Sequence, residues 1–334
     1  MIRDVQLQYA SLEAALSEQP EGTVSRVSLS FADEATAFFV VKGQRSGPTL
    51  WVQAALHGDE YDGIVAILRL LETIMPSSLQ GQIILCPVVN PSACLAGTNA
   101  SPVDSVNLNR VFGQERKDSY SYYYGEWLLQ QIVQHADFLI DLHGGGAYLD
   151  VSPFAMLPTN HLQAYQTAAR LLHQLSLTAI YECGSDAKEG MLVQAVCEAG
   201  IPAVLLESGG GIAWKPEAVR QHEHSIAMIL SGLGMQSEVV PFTPLQSPTT
   251  IREVKELRFE TSGLLLRHAA VGSIVTLGEE LLKVVSLPGF EESVISCPVP
   301  QAIILSIHTA STVKTQGYAV MLGVLEGSVE DTQG

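Results

Sequence analysis

A doubly wound, mixed α/β sheet followed by a smaller all-β unit is the fold class the sequence predicts, on three observations. From about residue 23 to 240, short apolar runs alternate with helical segments, the pattern of a sheet covered on both faces. The Pro/Ser/Thr-rich stretch 241–250 (PFTPLQSPTT) then breaks the alternation. Beyond it lie only short β-type runs, and these repeat at an offset of 39 residues. The division expected is an α/β unit over 1–240 and a β unit over 241–334.

In chain order, strands are expected at 26–31, 37–41 and 49–55 (TLWVQAA), then a helix at 62–74 and a strand at 82–87. A helix at 122–135 leads into the strand 138–142 (FLIDL), and a further strand follows at 154–157. Helices at 161–175 and 191–199 precede the strand 203–207 (AVLLE), and a helix at 216–232 closes the unit. The runs at 49–55, 138–142 and 203–207 are the best candidates for central strands. In such sheets ligands bind outside the carboxyl ends of the strands, near a topological switch point. His57, His143 and Glu207 each stand at or just past one of those ends.

In the second unit, Gly263–Leu266, Val271–Val275, Gly278 and Leu281–Val285 align with Ala302–Leu305, Ala310–Lys314, Gly317 and Val320–Val324. Two related halves imply a small sandwich or barrel with quasi-two-fold symmetry. It resembles the lipoyl/biotinyl-type fold, but no lysine sits at an evident tip, which argues for a cap over the site rather than a cofactor carrier.

Apolar residues make up 47% and charged residues 16% of 334, the composition of a compact globular chain. A net charge of −17 disfavours nucleic acid and anionic membrane surfaces as partners, and an anionic substrate then needs a local cation. The N-terminus has no continuous apolar core of a signal peptide, and no apolar run is long enough to span a bilayer. Five scattered cysteines without a C-x-x-C point to a reduced, cytoplasmic protein. A homo-oligomer is compatible with the sequence.

His57-Gly-Asp-Glu60 places an imidazole and a carboxylate three residues apart, where a strand gives way to an entering helical turn. Such a pair can share a metal. His143, followed by Gly144-Gly145-Gly146, supplies the third ligand of an open two-imidazole, one-carboxylate zinc site. Asp141, two residues earlier on the same strand face, is placed to orient an imidazole. Glu207, before Ser208-Gly-Gly-Gly211, offers a carboxylate for proton transfer, its pKa raised by desolvation. In Asn107-Leu-Asn109-Arg110, Arg110 provides a bidentate fork for a substrate carboxylate, with Asn109 donating beside it.

The order H-G-x-E, N-L-N-R, D-L-H-G and L-x-E-x-G resembles the succinylglutamate desuccinylase/aspartoacylase family, within the zinc-carboxypeptidase-like fold, over roughly residues 45–325. The resemblance implies one Zn²⁺ per chain held by His57, Glu60 and His143. It implies Glu207 as general base and then acid, and Asn109 and Arg110 as holders of a substrate carboxylate. The stretch 96–104 (AGTNASPVD) is similar to the N-acetyl-diaminobutyrate deacetylase branch. It departs from the usual A-G-T-R at Asn99, where the arginine helps polarise the scissile carbonyl. Losing one oxyanion donor costs about 10²–10³ in rate. Either Asn99 substitutes, or Lys188 or Arg116 moves in, or the chain is a slow or divergent member.

The sequence thus points to a zinc-dependent amidohydrolase of small N-acyl amino acids, with Glu207 and Asn99 as its catalytic residues. The alternatives are a metallocarboxypeptidase of short peptides and a binding protein that keeps the metal without turnover.

Overall fold

The computed structural model describes residues 5, 7–115, 117–184, 188–236, 247–267 and 269–326. Its fold is mixed α/β with a C-terminal antiparallel β region. The centre of the large sheet is three parallel strands side by side: Arg45–Ala54, Phe138–His143 and Ala203–Gly209. These strands read as continuous apolar runs because successive side chains point to opposite faces and both faces are covered. Leu50, Val52, Ile140, Leu142, Val204 and Leu206 join the core beneath the helices Asp62–Thr73, Leu162–Leu172 and Pro216–Gly232. Trp51, Leu139, Ala203 and Leu205 join the opposite core, with Leu128 and Ile132 of Tyr120–His135 and Val196 of Leu192–Glu198.

The expected central strands are central. Next to Arg45–Ala54 lies Gln80–Cys86 on one side and Phe138–His143 on the other. The winding reverses at Arg45–Ala54, and its carboxyl end is the switch point where a ligand site belongs.

Several elements were not legible in the sequence. Leu7–Tyr9, Leu12–Glu18, Pro91–Ala96 and Ala179–Cys183 were not expected, and the strand at 154–157 runs from Leu149 to Pro158. Ala179–Cys183 (AIYEC) carries Glu182, whose carboxylate accepts from Tyr165 Oη at 2.6 Å and faces Arg252 Nε at 3.0 Å. Leu149–Pro158 is interrupted by Asp150, Ser152 and Pro153. Tertiary partners satisfy these polar groups, so the apolar pattern that marks a strand is diluted.

The C-terminal repeat takes structural form. Each half supplies a long, a short and a long strand: Gly263–Arg267, Ile274–Thr276 and Glu280–Ser286, then Gln301–His308, Thr312–Val313 and Tyr318–Val324. The short strand of each half pairs with the first long strand of the other, which is the quasi-two-fold exchange. Gln301–His308 also pairs with Leu149–Pro158, at Ser306↔Val151, so the large sheet continues into this region. Part of the stretch 241–250, residues 241–246, lies outside the described residues; Thr249–Ile251 pairs with Ala179–Cys183.

Candidate active site

Past the strand Arg45–Ala54 the chain turns off the sheet at Ala55, with φ at +57°. His57-Gly-Asp-Glu60 forms a turn closed by Glu60 N donating to His57 O at 3.4 Å, and the helix begins at Asp62. The pair therefore sits on the turn before the helix, not on its first turn. Gly58 is required there, because a Cβ would meet the Ala93 backbone carbon at 2.0 Å.

His143 ends its strand in register with Glu207 on the neighbouring strand, which sets their backbones about 4.8 Å apart. His57, Glu60 and His143, all buried, bring one ligand atom each within 4.8 Å of one another. Glu60 lies between the imidazoles: Oε1 is 2.8 Å from His57 Nδ1 and Oε2 is 2.9 Å from His143 Nδ1. Both Nδ1 atoms thus face the shared carboxylate, and both Nε2 atoms are held from behind. His57 Nε2 lies 3.1 Å from Asn107 Oδ1. His143 Nε2 lies 3.0 Å from Asp141 Oδ2, as expected of residues two apart on one strand. Behind Asp141 the chain of contacts continues, with Gln53 Nε2 donating to Asp141 Oδ1 at 3.0 Å and Trp51 Nε1 to Gln53 Oε1 at 3.0 Å.

Two imidazole nitrogens and a carboxylate oxygen, converging and oriented from behind, fit a catalytic zinc ion with an open position. The electrostatics agree with a cation site. Burial would raise the Glu60 pKa, yet the two imidazoles outweigh it and hold it at about 2. Burial opposes charge on His143, but Asp141 and Glu60 raise its pKa well above the usual histidine range. Glu207 goes the other way: burial, then the charge of Glu60, push its carboxyl up to about 8. Its Oε2 is buried without a hydrogen-bond partner among the described residues.

The acids flanking Glu60 tie down both glycine loops, a role the sequence reading missed. Asp59 Oδ2 accepts from Ala147 N at 3.1 Å. Asp62 accepts from Gly210 N at 3.1 Å and Lys215 N at 2.6 Å. Gly211 N donates to Gly146 O at 2.6 Å, joining one loop to the other.

Asn99, Asn109, Arg110, Lys188 and Glu207 line one cavity of about 540 Å³ with His57, Glu60 and His143. The N-L-N-R segment is a 3₁₀ turn at Leu108–Arg110 rather than an open loop. Asn109 is buried, its Oδ1 accepting from Leu192 N at 2.9 Å. Arg110 Nη1 donates to the Asn109 carbonyl, and burial lowers the guanidinium pKa. Asn99 is exposed at the rim and its Oδ1 accepts from Asn107 Nδ2 at 2.9 Å, so it braces the residue that holds His57. Lys188 reaches the cavity and pairs with Glu256; Arg116 lies outside the described residues.

The C-terminal region contributes Glu256, Arg258, Ser306 and Tyr318 to the cavity wall. No motif marks them, and they meet the site because Gln301–His308 extends the large sheet beside Leu149–Pro158 and Thr249–Ile251 pairs with Ala179–Cys183. Tyr318 Oη and Ser306 Oγ are 2.6 Å apart, and burial raises the phenol's pKa.

Among solved structures, the product-bound ectoine utilization protein EutE (DoeB) of Ruegeria pomeroyi matches with TM-score 0.79 at 23% identity, covering 92% of this chain and 96% of that one. A succinylglutamate desuccinylase from Silicibacter sp. TM1040 matches with TM-score 0.79 and 23% identity over 92% of this chain and 96% of its own. Both share the fold. By sequence, the chain is 33% identical over 247 residues to the N-alpha-acetyl-L-2,4-diaminobutyric acid deacetylase of Halomonas elongata, covering 71% of this chain and 70% of the relative. Residues 46–233 match the profile of the succinylglutamate desuccinylase/aspartoacylase catalytic domain. On that match, and on the similarity to the deacetylase, this protein belongs to the succinylglutamate desuccinylase/aspartoacylase family.

Proposed function

We propose that this protein is a zinc-dependent amidohydrolase that cleaves the amide of a small N-acyl amino acid. The observation that carries the reading is the register of His143 with Glu207, which sets a half-buried carboxyl, its Oε2 buried without a partner among the described residues, beside the His57–Glu60–His143 donor set. Family membership and the similarity to a deacetylase support it. A cavity of about 540 Å³ suits a small molecule, and the C-terminal residues in its wall disfavour long peptides.

His57, Glu60 and His143 would hold the zinc, which would supply Lewis acidity at the acyl carbonyl. Glu207 takes the proton of the attacking water and delivers it to the departing nitrogen. Arg110 pairs with the carboxylate of the amino-acid half, with Asn109 fixing its turn. Asn99 offers its amide N–H to the developing oxyanion, a neutral donor in place of a cation. Amine release from acetyl-, succinyl- and formyl-amino acids by zinc-loaded protein tests the reading. Turnover is expected, and Glu207→Gln should lower kcat by about 10²–10⁴ while zinc stays bound. Turnover retained in Glu207→Gln would remove Glu207 from the mechanism. Silence that Asn99→Arg relieves would favour a binding protein that has lost its oxyanion donor.

A further inference from the structure

Behind the site stands a buried imidazole that the mechanism leaves unused: His222, 1% exposed, on the helix Pro216–Gly232. It shares the buried face of that helix with Val219, Ser225, Ile226 and Ile229, the three-and-four spacing of a packed stripe. The helix lies close on the strand Ala203–Gly209, where an added Cβ at Gly209 would meet Ala218 Cβ at 2.5 Å. The hydrogen-bond partners of His222 are the backbones of His143 and Ser208. Its Nε2 has no partner among the described residues, which leaves Nδ1 as the donor to those carbonyls. The two backbones are neighbours: an added Cβ at Gly144 would meet the Ser208 carbonyl oxygen at 2.8 Å. His143 is the last residue of its strand, and Ser208 directly follows Glu207.

Packing alone does not account for a histidine here. Burial opposes its charge and lowers its pKa to about 4, so the ring is neutral near pH 7. Even neutral, it leaves the Nε2 lone pair unmatched in a dry core, a penalty that an apolar residue of similar size avoids. A donor can do what an apolar residue cannot, which is to hold carbonyls. They need holding, because the strand ends at His143 and the chain runs on into Gly144-Gly145-Gly146, whose backbone is the least restrained of any residue type. We propose that His222 is a positioning residue: its Nδ1–H ties the His143 backbone to that of Ser208 and so fixes the separation of the His143 imidazole and the Glu207 carboxyl. This rests on the roles that the amidohydrolase reading gives to His143 and Glu207.

The test compares His222→Leu with His222→Asn in the full, zinc-loaded chain. Asparagine carries its Nδ2 hydrogens where the imidazole carries Nδ1–H, whereas leucine fills the space without a donor. Leucine should weaken zinc by about tenfold in competition with a chromophoric chelator, the scale of one buried hydrogen bond. It should lower kcat on the best acetyl-amino acid by about as much, with KM little changed, since Arg110 stands on a separate segment. Asparagine should recover most of both losses. A packing role gives the reverse order, because leucine suits an apolar site and an amide does not. That order overturns the proposal, and so do equal values in both variants and the unaltered protein. Nitrogen-15 NMR of the histidine-labelled, unaltered chain needs no variant to fold. It should find His222 as the neutral Nδ1–H tautomer, and the Nε2–H tautomer overturns the proposal. The two readings fail separately. Zinc affinity higher in the asparagine than in the leucine variant, without turnover by any form, keeps the positioning role and removes the amidohydrolase. Turnover and zinc affinity the same in all three forms do the reverse.

Discussion

Asp141→Asn should weaken zinc binding without disturbing the fold, and the hydrogen-bond chain behind His143 gives the reason. Trp51 Nε1 donates to Gln53 Oε1, which turns Gln53 Nε2 toward Asp141 Oδ1 as a donor. Asp141 Oδ2 then accepts the proton on His143 Nε2 at 3.0 Å. That leaves His143 Nδ1, which faces Glu60 at 2.9 Å, free of its proton when a metal takes it. An asparagine at 141 must still turn its oxygen to Gln53, so its NH₂ faces His143 Nε2. The imidazole is driven to the other tautomer, with the proton on the ligating nitrogen. Removing the partner that orients a metal-bound histidine typically costs about 10–100-fold in metal affinity, or roughly 1.4–2.7 kcal/mol. Competition for zinc against a chromophoric chelator reads this directly, with far-UV circular dichroism as the check on folding. A zinc affinity within twofold of the unaltered protein would refute the argument that Asp141 sets the tautomer.

Two further predictions concern stability. Gly209 sits at φ +83°, and an added Cβ would meet Ala218 Cβ at 2.5 Å and Asp62 Oδ2 at 2.6 Å. Gly209→Ala should destabilise by about 2–5 kcal/mol from backbone strain plus overpacking, and an unchanged urea midpoint would contradict this. At the start of Tyr120–His135, Ser119 makes no side-chain cap; Asp104 does that work, accepting from Ser121 N and Ser121 Oγ, each at 2.8 Å. Burial pushes the Asp104 carboxyl up, but the Ser121 hydrogen bonds outweigh it and hold it below the usual carboxylate range. Asp104→Ala should therefore cost about 1 kcal/mol at neutral pH. A depressed native pKa gives stability present above the unfolded value of about 3.9 and lost as pH falls through the native one. The deficit of the variant should accordingly shrink below about pH 4 in denaturant titrations; a deficit that holds constant into acid would rule out the carboxylate as the cap.

The three central strands and the donors beside them were readable because the physics is local. A strand buried on both faces must be apolar at successive positions, as in Leu50-Trp51-Val52 and Leu205-Leu206, so it stands out from amphipathic neighbours. A polar residue ending such a run, as His143 and Glu207 do, is conspicuous for the same reason. The orienting role of Asp141 was readable too, since two residues along a strand always share a face.

Less visible was whatever depends on register between distant segments. Gln53 and Trp51 look like ordinary strand residues until the pairing Gln53↔Asp141 sets two polar side chains together in a dry core. Asp59 and Asp62 read as surface acids of a turn, yet they hold loops more than 80 residues away, at Ala147 and Gly210. Asn99 was marked as the place of a missing cation; only the fold reveals that its oxygen braces Asn107 behind His57.

The sequence by itself determined the sheet's centre and singled out the two histidines and two glutamates that the fold brings together, because burial and donor chemistry are written in residue type and short spacing. The tertiary structure alone decided which charges surround a substrate. Lys188 comes from one segment and Glu256 and Arg258 from another, and the C-terminal region's charges reach the cavity through strand pairing, of Gln301–His308 with Leu149–Pro158 and of Thr249–Ile251 with Ala179–Cys183. That pairing is made of backbone hydrogen bonds, which leave no mark on the side chains from which a sequence is read.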